Sequence, residues 1–73
     1  MLNKQQATLV LEAAPVWWKY YDPQENLFYT WCKQWYYFDE HWRGCSLNED
    51  VLDRMIRCDK VLAIATGEVA DNS

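Results

Sequence analysis

Every aromatic side chain of this 73-residue chain, five Trp, five Tyr and two Phe, falls between Trp17 and Trp42. Each ring of this kind buries roughly 150–250 Å² and favours offset or edge-to-face neighbours. A cluster this dense must form the core of whatever the chain folds into. It also exceeds what so short a chain can hide, since a domain of about this size buries only about 60% of the surface that it exposes when unfolded. Part of the ring surface is therefore expected to face solvent, and Trp and Tyr are the types enriched at protein interfaces.

The totals narrow the function classes. Seven Lys and Arg against eleven Asp and Glu give a net charge of -4. That balance opposes a general nucleic-acid binder, which carries a basic face, and it is too mild for a mimic of DNA. An apolar share of 51% argues for a folded domain, not a disordered chain. The length allows one domain, expected over 1–67, with 68–73 as a polar flexible tail. No apolar run approaches the roughly 18–20 residues of a membrane span. No basic segment and cleavage site frame Leu9–Leu11 as a secretion signal, so a cytoplasmic protein is expected. Cys32, Cys45 and Cys58 make an odd count, which points to reduced thiols and a fold standing on packing alone.

Periodicity predicts a mainly helical single domain of three helices. The first covers 3–14, capped by Asn3, with Gln6, Leu9, Val10 and Ala13 on one face and Pro15 ending it. Val16–Tyr21 reads as a short strand or a short helix. The second helix is expected over 23–42. Asp22, Pro23 and Glu25 resemble a helix start, Leu27, Phe28, Trp31, Trp35, Phe38 and Trp42 recur every three or four positions, and Arg43-Gly44 suits a helix end. The third starts at the capping box Ser46-Leu-Asn-Glu49 and ends at Gly67, with Asp50–Arg54 and Asp53–Arg57 as ion pairs along it. The alternative is an α+β arrangement with a hairpin made from 16–21 and part of 27–38.

Chemistry-bearing groupings are sparse. The cysteines lie thirteen residues apart with no short pair, so no metal site is expected around Cys32, His41, Cys45 and Cys58. No nucleophile elbow, phosphate loop or paired-carboxylate pattern occurs. Neither catalytic residues nor a cofactor are expected, and the chain is read as a non-enzyme. Base stacking by exposed rings needs cations beside them. Only Lys19, Lys33 and Arg43 accompany the rings, against Asp22, Glu25, Asp39 and Glu40. A protein partner is the better expectation. The predicted contact residues are Trp18, Tyr20, Tyr29, Tyr36 and Tyr37, with Asp39, Glu40, Asp50 and Asp53 as an electrostatic rim.

The opening Met1-Leu-Asn-Lys4, the Trp17-Trp18-Lys19-Tyr20-Tyr21 block and the Trp35-Tyr36-Tyr37-Phe38 block, together with the length, resemble small transcription regulators made by lytic phages of Xanthomonas. The resemblance covers the whole chain. It implies binding to the host's multisubunit RNA polymerase, at the N-terminal segment of β′ and the flap of β. It also implies inhibition of initiation by displacement of the σ factor, and antitermination during elongation. On this reading the protein acts in the infected cell as a monomer, without membrane attachment or sequence-specific nucleic-acid contacts. The rival expectation is a nucleic-acid-linked protein, either a single-strand binder or a DNA mimic that inhibits a nuclease or repair enzyme.

Overall fold

The computed structural model describes residues 2–67; the tail expected at 68–73 lies outside the described residues. The elements run α1 (Lys4–Ala13), β1 (Tyr20–Asp22), β2 (Leu27–Trp31), β3 (Trp35–Asp39), β4 (His41–Cys45), α2 (Glu49–Arg54), β5 (Ile56–Arg57) and α3 (Cys58–Thr66). The five strands form one antiparallel sheet in the order β4-β3-β2-β1-β5.

The helix expected over 23–42 is not formed, and the mainly helical reading is wrong. Its residues build β2, β3 and the start of β4. The sheet is also larger than the single hairpin of the alternative arrangement. The cause lies in the turns. Asn26, Lys33 and Glu40 take left-handed φ values of 57°, 66° and 64° and stand seven residues apart. One short strand and one turn thus repeat every seven residues, close to two helical turns, so the rings recur at helical spacing although Phe28, Phe38 and Trp42 lie on one face of the sheet and Trp31 and Trp35 on the other. The residue types Trp, Tyr, Phe and Thr favour the pleated conformation. Lys33, which argued against a strand between Trp31 and Trp35, sits at the hairpin tip and belongs to no strand. The apparent helix start at Asp22 is a turn: its Oδ1 accepts from Gln24 N at 3.0 Å and from Glu25 N at 3.4 Å.

The third helix is divided. Its cap is Asn48, not Ser46, with Oδ1 accepting from Val51 N at 3.0 Å. It stops at Met55, whose extended backbone leads into Ile56–Arg57, paired to β1 through Tyr21↔Ile56 and Tyr20↔Arg57. The expected ion pairs along it are replaced. Arg54 reaches Asp22, and Arg57 meets Asp59 at 3.6 Å. The first helix forms with Asn3 and Gln6 closing a reciprocal capping box. Gly67 ends α3 at φ 85°, where a side chain would be strained.

α1 and α3 pack against each other on one side of the sheet. Leu2, Ala7 and Val10 from the α1 segment meet Val61 and Ile64 of α3, with Tyr21 and Phe28 of the sheet beneath. The Tyr21 and Phe28 rings lie opposite in register, 5.1 Å apart. Alternation then sends Tyr20, Asp22 and Tyr29 to the other face. Arg54 at the end of α2 clamps onto that face through Asp22.

Candidate functional site

The segment between α1 and β1 shapes the most distinctive surface. Pro15 ends α1, and its carbonyl accepts from Trp18 N at 3.4 Å in a tight turn. Lys19 then joins the sheet, donating its N–H to Tyr29 O at 2.9 Å and accepting from Cys58 N at 2.8 Å. Trp18 packs on Phe28 with ring centroids 5.3 Å apart and nearly perpendicular planes. Trp42, edge-on to Phe38 at 5.2 Å, donates its indole N–H to Val16 O at 3.2 Å. With both ends of the turn held, Trp17 is forced outward. Its φ is 72° and 78% of its surface is exposed.

A groove of about 480 Å³ results, lined by Trp17, Trp18, Trp31, Trp42, Thr30, Tyr36, Lys19 and Cys32. Trp31 borders it at its carbonyl; its ring, 47% exposed, lies on the other face of the sheet, packed on Trp35 at 5.2 Å. Among the described residues Lys19 is the groove's one charged lining residue, and its Nζ donates to Trp31 O at 3.3 Å. Three indoles and a phenol on a lining with few polar groups make a surface for apolar or aromatic side chains. A second cavity of about 510 Å³ lies between α1 and the β1–β2 turn, where Tyr21 donates its hydroxyl to Asn26 Oδ1 at 2.6 Å.

The opposite face is built around a buried ion pair. Arg54 donates from Nε to Asp22 Oδ1 and from Nη2 to Asp22 Oδ2, both at 2.9 Å. Burial alone pushes the Asp22 carboxyl up. The Arg54 hydrogen bonds, the Gln24 and Glu25 amides and the guanidinium charge outweigh it and leave the group below its ordinary value. Burial raises the Tyr21 hydroxyl, and the Asp22 charge adds to it. Burial, then Asp22, also raises Tyr29. Burial pushes the Cys45 thiol up. Cys32 is exposed, so alkylation with iodoacetamide at pH 8 is expected to label Cys32 well before Cys45, as peptide mass mapping will read.

The five predicted contact residues divide between the two faces. Trp18 and Tyr36 line the groove. Tyr20, Tyr29 and Tyr37 form one row across β1, β2 and β3 on the other side. Tyr29 is only 5% exposed, and Tyr20 packs edge-on to Trp35 at 5.3 Å. Asp39 and Glu40 sit at the β3–β4 turn, with Asp39 Oδ2 3.6 Å from Arg43 Nε, while Asp50 and Asp53 are exposed on α2. None of these acids lines the groove. Sequence reasoning missed Trp17 and Trp42. The adjacent pair Trp17-Trp18 was the available signal, since only one of two neighbouring rings can enter the core there.

Among the described residues no group of three or more His, Cys, Asp or Glu gathers to hold a metal ion. No helix of the described residues is long and apolar enough to cross a membrane. No family model matches the chain, and neither does any characterised protein or solved structure compared with it.

Proposed function

We propose that the chain is a protein-binding regulator of bacterial RNA polymerase, acting by occupying a surface. The partner comes from the resemblance of the Trp17–Tyr21 and Trp35–Phe38 blocks to the phage regulators. On this reading the protein works in the cytoplasm of the infected cell. It engages the β′ N-terminal segment and the β flap, displaces the σ factor and favours read-through of terminators. Displacement requires only that two ligands have overlapping or coupled sites.

One observation carries the docking part of the proposal. An aromatic residue in left-handed backbone conformation costs about 1–2 kcal/mol, and Trp17 bears that cost while 78% exposed, gaining little burial in return. Strain of this kind concentrates at functional positions. Exposed Trp is also the residue type most enriched among interface anchors. The nucleic-acid reading has less support, because among the described residues the groove offers phosphates a single cation, Lys19.

Surface-captured core polymerase is the direct test. The purified chain is expected to bind it, and excess σ factor is expected to lower the captured amount. In transcription reactions from a σ-dependent promoter, added protein is expected to reduce initiation. A chain that binds single-stranded DNA in a gel shift and ignores polymerase overturns the proposal.

A further inference from the structure

The sheet has two unequal edges. At one, β5 is two residues long and leads at once into α3. At the other, β4 offers five residues in unbroken register with β3, from Trp35↔Cys45 to Asp39↔His41. Natural edges of that length are usually blunted by proline, a bulge, a charge aimed inward or a covering element. β4 contains no proline and no bulge. Its outward N–H and C=O groups form a row ready to pair.

Alternation gives each side of this edge its own chemistry. Trp42 and Gly44 face the helix layer, Trp42 being part of the aromatic groove. Gly44 stands opposite Tyr36, and a Cβ there would collide with the Gln34 amide, so this stretch of the edge carries no side chain. His41 and Arg43 are exposed on the other face. Arg43 donates from Nε to Asp39 O at 3.2 Å and has Asp39 Oδ2 at 3.6 Å; its two terminal amino groups meet no protein acceptor among the described residues.

We infer that the β4 edge is a strand-addition site for an extended segment of another protein in which apolar and acidic side chains alternate. The apolar ones lie beside Trp42 and the Gln34 side chain that covers Gly44, against the groove. The acidic ones lie over His41 and Arg43, where the free guanidinium nitrogens receive a carboxylate. The pairing gives affinity through main-chain hydrogen bonds, and the two faces give selectivity. A second copy of this chain is disfavoured in the central register. Self-pairing centred on Arg43 sets two guanidiniums opposite each other, and like charges in that position destabilise a sheet. The inference deepens the docking proposal above and rests on its reading of the groove.

Two probes test it on the full isotope-labelled chain, acetyl-(Glu-Leu)4-amide and acetyl-(Lys-Leu)4-amide. The Glu–Leu peptide is expected to bind at least ten times more tightly and to shift the Trp42 indole signal. It is also expected to slow amide exchange in His41–Cys45 at least fivefold. Arg43→Glu is expected to reverse the preference. Equal affinity for the two peptides, binding without slowed β4 exchange, or no binding up to peptide solubility overturns the inference. The same exchange measurement on the polymerase complex separates the two proposals. A complex with unchanged β4 exchange removes the strand-addition site and keeps the polymerase reading. If the Glu–Leu peptide pairs with β4 and no polymerase complex forms, the polymerase reading falls and the edge site stands.

Discussion

Replacing Asp22 with alanine is expected to lower the free energy of unfolding by about 3 kcal/mol, most of what a domain this small can spare. The side chain is buried and serves four donors at once: Gln24 N, Glu25 N, and Nε and Nη2 of Arg54. Removing it opens the β1–β2 turn and strands a guanidinium that is mostly covered. It also frees α2, which has no buried residue of its own among its six. Denaturant unfolding followed by tryptophan fluorescence will read the change, and a midpoint like that of the parent chain would refute it. The same pair sets a pH dependence. Because the folded carboxyl titrates below its ordinary value, its contribution is complete above the unfolded carboxylate range near pH 4. The contribution is lost as pH falls through the lower, folded value. Asp22→Asn is expected to flatten that acid limb of the stability profile, besides lowering stability at neutral pH.

Trp17→Gly is expected to weaken polymerase binding at least thirtyfold, the equivalent of about 2 kcal/mol for an interface anchor. The same substitution is expected to leave the melting temperature unchanged or slightly raised. Glycine adopts a φ of 72° without the steric cost borne by Trp17. That relief offsets the extra chain entropy that glycine loses on folding, roughly 0.5–1 kcal/mol. Little burial is lost, since the ring is 78% exposed. Trp18→Ala forms the contrast. Its ring packs on Phe28, so truncation is expected to cost about 3 kcal/mol of stability in the absence of any partner. If Trp17→Gly binds as the parent does, the groove is not the docking surface. If it unfolds the chain, the account of its backbone strain is wrong.

These two neighbours also show what could be read from the chain and what could not. The density of rings between Trp17 and Trp42 showed that some must be on the surface, and they are. Which ones depends on backbone angles that residue type does not reveal. Nothing in Val16-Trp17-Trp18 says that Trp17 takes a positive φ, and that angle decides which indole enters the core. Local capping chemistry was more readable. Asn3 and Gly67 act at helix ends because their side-chain oxygen and their missing Cβ suit those positions wherever the rest of the chain goes. Asp22-Pro23 misled because an acceptor that caps a helix also closes a turn. The aromatic spacing misled because hairpin turns at Asn26, Lys33 and Glu40 repeat at the interval of two helical turns. Arg54 could have been paired with Asp50 by helix rules alone; its true partner lies 32 positions away, a distance no local rule spans.

The strand order has a kinetic meaning. β1 to β4 follow one another along the chain as they do across the sheet, so each pairing closes only a few residues of chain. Such closures take about 1–10 μs for a hairpin, and topologies dominated by near neighbours fold quickly. The exception is the pairing of β5 with β1, where Ile56 joins Tyr21 from 35 residues downstream. Assembly therefore proceeds as a meander that zips turn by turn and waits on the remote closures of β5 on β1 and α3 on α1. Amides at the two-residue β1–β5 seam are expected to open to solvent before those between β2 and β3.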